Sequence, residues 1–218
     1  GSTHVVIDIP VGETAKVRTN DAAMKLKEHL EVVGKAVGLT TRVVITDGTQ
    51  PVGRGIGPAL EAMDILSVLK NEVDAPKDLR ERAVLLAGEL LELSGEIESG
   101  KGKQTARGLL ESGKAYNKFL AICKAQGNFK QPLLKPYKFE IKAKKTGVLR
   151  RIDNRKIAKL AKLSGAPQSK SAGISLNVHL NDKVEKDGLL YTLFAESQGE
   201  LNYALEYKNR HNDIITIK

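Results

Sequence analysis

"TDGTQPVGRGIGPALEAMDIL", residues 46–66, is the stretch on which the reading of this chain turns. A β-branched run, "TTRVVI" (40–45), leads into it, and an amphipathic helical pattern leaves it. Between them stand four glycines (Gly48, Gly53, Gly55, Gly57), one acid (Asp47) and one base (Arg54). A strand, a glycine loop and a helix N-terminus in that order can hold an anion, because free N–H groups and the helix dipole both favour negative charge. Arg54 would add a bidentate clamp. Yet the stretch has neither G-x-G-x-x-G nor the G-K-[ST] ending of a P-loop. The same glycines serve equally to permit positive φ and close strand–helix packing. The residues alone leave both readings open, with the turn-forming one ahead.

Working outward, "HVVIDIP" (4–10) reads as a buried strand ended by Pro10 and Gly12. "NDAAMKLKEHLEVVGKAVG" (20–38) reads as an amphipathic helix capped by Asn20 or Asp21, with Met24, Leu26, Leu30, Val33 and Val37 as its inner face. A helix from Pro58 to Leu69 follows the glycine loop, with proline at the first helical position. "KDLRERAVLLAGELLELSG" (77–95) is apolar enough on one stripe to require burial, and 103–127 predicts two helices broken near Gly113. Strand–helix alternation of this kind predicts a parallel or mixed sheet with helices packed on it.

The pattern changes after "GNFKQPLLKPYK" (127–138), which reads as a linker. Short strands follow within 137–152, 173–180 and 188–196, with a basic helix at 154–165 and a last helix at 199–210. The fold class expected is α/β, or α+β overall. Part of a mixed β-sheet with packed helices occupies 1–134, and a smaller β-rich domain occupies 135–218.

Composition bounds the function. No run approaches the roughly 18 apolar residues of a membrane helix, so no membrane partner is expected. The single Cys123 excludes an internal disulfide and suits a cytoplasmic setting. The net charge of +9 is uneven: residues 1–134 carry 18 Lys+Arg against 17 Asp+Glu, and residues 135–218 carry 17 against 9. That basic second half would permit phosphate or nucleic-acid binding. Aromatics at 4% and the absence of Trp argue against base stacking, so nucleic acid is not the expected partner. The cations from Lys144 to Lys162 include Arg155, Lys156, Lys159 and Lys162 at helical spacing, opposite an apolar seam of Ile157, Leu160 and Ala161. A solvated helix explains them.

The remaining candidates are single residues. Lys16, in "PVGETAKVR" (10–18), projects from the loop after the first strand, where open α/β sheets place their ligands. Asp8 and Asp47 lie in or beside strands and have acid–base chemistry, although a strand-end Asp is commonly a turn former. His4, His29, His179 and His211 have no metal-ligand spacing, and no metal is expected. His179 reads as a strand residue and Cys123 as a core residue of a helical apolar face.

Five stretches in order resemble one known family over nearly the whole chain: "THVVIDIPVGETAKVR", "TDGTQPVGRGIGPALEA", "DLRERAVLLAGELLEL", "IDNRKIAKLAKLSGAP" and "LNDKVEKDGLLYTLFAES". The chain is similar to the carboxyl-terminal half of the thymidine phosphorylase and AMP phosphorylase family, and "VIDIPVG" and "TDGTQPVGR" are closer to the AMP phosphorylase branch. The resemblance implies phosphorolysis of a nucleoside or nucleoside 5′-monophosphate to free base and a sugar 1-phosphate. Inorganic phosphate would be the co-substrate, with no other cofactor. It also implies a homodimeric full-length protein and a β-rich C-terminal domain of barrel-sandwich or hammerhead type. Lys16 matches a family position that contacts the nucleotide, whereas Asp47 and Arg54 are only expected to border the cleft. The family's phosphate loop, catalytic acid and Ser/Lys pair lie upstream of the matched region. The expectation is therefore a fragment that holds no catalytic residue and is inactive alone.

Two readings compete. "KTGVLRRID" and "LNDKVEKDGLLYTLFAE" also resemble the halves of a lipoyl- or biotinyl-type domain, which needs a modifiable lysine at the tip of a tight hairpin between those halves, where a basic helix and "SGAPQSKSAG" (164–173) stand here. A nucleic-acid-binding module using the basic half is the other, and its binding would weaken steeply with salt.

Overall fold

The structure, a computed structural model, describes residues 1–135 and 137–218. The elements in chain order are β1 (His4–Val11), α1 (Asn20–Ala36), β2 (Thr40–Asp47), β3 (Gly55–Ile56), α2 (Pro58–Leu69), α3 (Lys77–Leu93), α4 (Gly102–Glu111) and α5 (Lys114–Ala125). Then come β4 (Tyr137–Lys142), β5 (Gly147–Ile152), α6 (Asn154–Leu163), β6 (Gly173–Leu176), β7 (Lys183–Val184), β8 (Leu189–Ala195), α7 (Gln198–Arg210) and β9 (Ile215–Ile217). They form two compact units, residues 1–49 with 67–129 and residues 50–66 with 130–218.

This division differs from a single cut near residue 134. The segment 50–66 joins the C-terminal unit because its backbone is spent there. β3 pairs antiparallel with β6, Gly55 opposite Ser175 and Ile56 opposite Ile174. Leu176 N–H donates to the Arg54 carbonyl at 2.8 Å, and Ala59 N–H donates to the Lys170 carbonyl at 3.0 Å. Leu180 N–H donates to Gln50 Oε1 at 2.8 Å. A two-residue strand is too short to show a period of two, so the sequence pattern could not reveal it.

In the first unit β1 and β2 pair in parallel, from His4 opposite Thr40 to Val11 opposite Asp47, and α1 makes the crossover that a parallel pair requires. The cap of α1 is Thr19, not Asn20 or Asp21: its extended backbone lets the hydroxyl accept the Ala22 N–H at 3.2 Å. The expected inner face of α1 also needs correction. Ala23 and Gly34 are its buried residues, whereas Val33 is 59% and Val37 66% exposed, with Met24 and Leu26 also exposed. The helix approaches β2 through small residues. A Cβ on Gly34 would lie 2.1 Å from Thr41 Oγ1, so a larger side chain there would force the two elements apart. Burial of α3 is likewise less than its apolar stripe suggests, with Val84 and Gly88 buried and Leu90 exposed. Gly88 lets α3 meet the Gly102–Lys103 backbone of α4 at van der Waals distance.

The second unit contains a four-stranded sheet, β3-β6-β8-β4, and a three-stranded sheet, β7-β5-β9. Their inner faces and those of α6 and α7 enclose one core that includes Leu149, Ile157, Leu160, Ile174, Leu193 and Ala204, each at most 1% exposed. Asp153 caps α6 by accepting the Arg155 and Lys156 N–H groups, and Ser197 caps α7 through the Glu200 N–H. The α6 seam of Ile157, Leu160 and Ala161 is buried. His179 proves to lie beyond the end of β6, in a turn where its N–H donates to Asp182 Oδ2 at 2.7 Å. Cys123 is half-buried on α5 rather than in a core, since that helix has no buried residue.

Candidate functional site

The carboxyl ends of β1 and β2 carry the loops that hold Lys16 and Asp47. After β1 the chain makes a tight reversal: Ala15 N–H donates to the Gly12 carbonyl at 3.0 Å and Gly12 N–H to the Val17 carbonyl at 3.1 Å. The adjacent loop packs directly on this one. Gly48 N–H donates to the Val11 carbonyl at 2.8 Å, and a Cβ on Gly12 would stand 2.4 Å from the Gly48 carbonyl oxygen. Both positions need glycine because backbone lies against backbone. Thr14 is buried beneath the reversal, and Lys16 stands exposed upon it, with no hydrogen bond or ion pair among the described residues.

An ionic network ties these strand ends to α3. Arg82 donates to Asp8 Oδ2 at 2.8 Å and to the Asp47 carbonyl oxygen at 2.7 Å, and the Thr46 hydroxyl donates to Asp8 Oδ1 at 2.5 Å. Asp8 is thus half-buried with each oxygen engaged, and it fixes the strand ends instead of presenting a free carboxylate. Asp47 is exposed, and its Oδ1 accepts the Thr49 N–H at 2.9 Å, the turn-forming use of a strand-end acid. Sequence reading did not single out Arg82, which lies 74 residues from its Asp8 partner in a helix rich in charge.

Arg54 belongs to the second unit, where Asp64 claims it. Asp64 is buried on α2, and its Oδ2 accepts the Arg54 and Gly55 N–H groups at 2.6 and 2.7 Å, while Oδ1 accepts from Arg54 Nε at 3.2 Å. Gly57 N–H is given to Glu61 Oε1 at 3.0 Å. Of the amides that would have cradled a phosphate at the start of α2, those of Arg54, Gly55 and Gly57 are occupied by carboxylates of that helix and that of Ala59 by the Lys170 carbonyl. The glycines supply close approach: a Cβ on Gly57, at φ +134°, would meet the Ala172 carbonyl oxygen at 2.3 Å. One on Gly55 would meet the Leu60 backbone at 2.4 Å. In the sequence, the signal for this was Asp64 ten residues after Arg54, an apolar-helix acid that the reading passed over.

A depression in the first unit follows the free edge of β2 between α1 and α3, where Arg42 pairs with Glu89 at 2.9 Å. It includes neither Lys16 nor Asp47. Between the two halves, where a carrier domain would place its lysine-tipped hairpin, the chain instead forms α6 and the 164–173 segment that leads into β6. No described helix is long and apolar enough to cross a membrane.

Comparison with known proteins places this geometry. Residues 148–214 match the pyrimidine nucleoside phosphorylase C-terminal domain. Across 217 residues, the whole of this chain, identity is 52% to a protein from Legionella pneumophila named "Putative thymidine phosphorylase". The chain is thus similar, along its length, to part of a longer protein of that name. Proteins with the same name from Hahella chejuensis and Tolumonas auensis are 51% and 50% identical over 218 residues. The chain spans 42–43% of the length of these relatives. The family domain covers β5 through Ile214, so the α6 and β8 core elements fall inside it. The Lys16 loop and the Arg82 network lie outside it, in sequence shared with the longer relatives.

Proposed function

We propose that this chain is the carboxyl-terminal part of an enzyme that phosphorolyses the N-glycosidic bond of a nucleoside or nucleoside 5′-monophosphate. A phosphate oxygen forms a bond to C1′ as the C1′–N bond breaks. The electron pair leaves with the base, which takes up a proton, and the sugar departs as its 1-phosphate. The observation that carries this reading is the likeness at about half identity along the entire chain to proteins named as thymidine phosphorylases. The reaction demands fixed charge around a cationic sugar and donors to the departing base, with no redox group.

In this reading Lys16 is the residue of this chain assigned to the substrate. It sits on a backbone held rigid by the Gly12–Gly48 contact, at the carboxyl end of a parallel pair, with an ammonium group not committed to any described partner. A strongly hydrated point charge on a four-carbon stem is suited to an anionic or carbonyl group of a nucleotide. Asp47 shapes the loop beside it, and Arg54 serves α2 through Asp64. The rest of the machinery belongs to the portion of the relatives that this chain does not span, so the 218-residue chain by itself is expected to release no base.

The test uses the longer reading frame. Phosphate-dependent release of adenine from AMP and of thymine from thymidine are followed side by side, in the parent and in Lys16→Ala. Release should require phosphate and fall about 10²-fold or more in the variant, the scale of losing one preorganised donor. Absence of phosphate-dependent release from both substrates would overturn the proposal.

A further inference from the structure

The second unit contains a groove of about 760 Å³ that the phosphorolysis reading does not use. One wall is β9, an edge strand whose only neighbour among the described residues is β5. The Asp153 N–H bonds the Ile214 carbonyl, and Val148 and Lys218 exchange backbone bonds, so residues 214, 216 and 218 face β5. By the alternation of an antiparallel ladder, Ile215 and Ile217 direct their backbone groups away from it. The floor is apolar: the buried Ile141, Leu190 and Tyr191 line it together with the partly exposed Ile215 and Ile217.

Four lysines gather around that floor: Lys142, Lys144, Lys145 and Lys208. Lys142 pairs with Glu140 at 3.8 Å, and the other three are less well balanced. Asp213 is the one acid on the lining, and its carboxylate is already held by Lys156. Lys144 and Lys208 reach only neutral amides, Asn212 Oδ1 at 3.2 Å and Asn209 Oδ1 at 3.4 Å. Lys145 has no partner among the described residues. Burial, and then the charge of Lys144, hold the Lys208 ammonium below its ordinary range, so the two cations are near enough to repel each other. Gathering like charges around one groove costs free energy that a counter-anion would return.

We propose that this groove is a binding site for a small phosphate monoester carrying a flat apolar body, the body lying on the Tyr191 floor and the phosphate between Lys144 and Lys208. The size suits a small molecule rather than a macromolecular segment. The cations favour phosphate over carboxylate, because a phosphate monoester carries about −1.5 to −2 charge at pH 7 against a single charge on a carboxylate. The lining of the groove does not include Lys16, and the proposal stands whether or not the longer protein is a phosphorylase.

Isothermal titration of the 218-residue chain tests it, with phenyl phosphate, inorganic phosphate and phenol as probes. Phenyl phosphate should bind at least about tenfold more tightly than inorganic phosphate, and phenol should give no measurable heat. Lys144→Gln with Lys208→Gln should raise the phenyl phosphate Kd at least about tenfold, whereas Lys159→Gln should leave it unchanged. Thermal unfolding monitors the fold of each variant, and the exposed Lys145→Glu supplies an independent loss if the double variant unfolds. Equal affinity in parent and groove variants overturns the site. Equal affinity for phosphate and phenyl phosphate overturns the apolar component. Binding of an acidic peptide or a short oligonucleotide, with none of phenyl phosphate, overturns the small-molecule assignment.

Discussion

The two units are built to different standards. The C-terminal unit closes a single core of eighteen buried residues between two sheets and two helices. The N-terminal unit divides its apolar contacts between a cluster of three buried residues (Ile9, Ala23, Val43) and one of five around Val68 and Leu110. It meanwhile leaves Val32, Val33 and Val37 of α1 largely exposed. Burial of apolar area is the main favourable term in folding, so the second unit has the means to stand by itself and the first is marginal. The difference teaches that the charge-rich half of this chain, despite its excess of cations, is the stably packed one. A solvated basic surface and a dry core are compatible when helix and strand faces are sharply divided.

The largest expected effects test that contrast directly. Leu149→Ala or Leu160→Ala, each at a fully buried site, should cost about 2–5 kcal/mol, and Ile9→Ala in the first unit should fall at the lower end of that range. Chemical denaturation followed by hydrogen exchange resolves the two. Slower exchange throughout β5, β6 and β8 than throughout β1 and β2 is the expected result, and uniform protection would break the comparison. Next come the glycines. Gly12→Ala should destabilise the first unit and Gly55→Ala the second by about 1–3 kcal/mol, because each new methyl meets backbone that has no rotamer to yield. Thermal melts of both variants measure this, and a neutral outcome at Gly12 would mean the strand-end loops separate freely.

How much of this was open to sequence reading depended on the range of the signal. Long amphipathic segments announced α2, α3, α6 and α7 within two residues of their observed ends, because their periodicity is local. The short strands β3, β7 and β9 carry two or three residues each and escaped notice. They exist through partners far away in the chain. The inner face of α1 was misjudged for a related reason: apolar size was read as burial, whereas contact with β2 selects Ala23 and Gly34 for closeness. At the candidate site, Lys16 stood out through strand-end logic and a family resemblance. Arg82 did not, since a charged residue on a helix looks like solvated surface until its Asp8 partner is placed.

That ion pair offers a smaller test. Arg82→Met should cost about 1.5–3 kcal/mol, the worth of charge-assisted bonds at a partly shielded site, and should speed hydrogen exchange at Thr46 and Asp47. Equal loss from Lys103→Met, an exposed cation of the same unit, would show the network to be ordinary surface charge. The smallest effect concerns pH. Glu92 and Glu196 are held below the ordinary glutamate range, Glu92 chiefly by the Gly102 N–H and Glu196 chiefly by the Ser171 N–H. A depressed folded-state pKa contributes stability above the unfolded value near 4.5 and loses it as pH falls through the folded value. Thermal midpoints should therefore decline modestly below about pH 4.5 in both units, and a midpoint that rises on acidification would contradict the sign.

The backbone contact of Gly12 with Gly48 reaches beyond stability. Two loops that share no side chains at their crossing inherit one another's path. A length change or graft in either is therefore felt in both. Anyone transplanting the Lys16 loop between relatives would have to carry the 47–50 loop with it, and the natural unit of exchange is the crossed pair rather than a single segment.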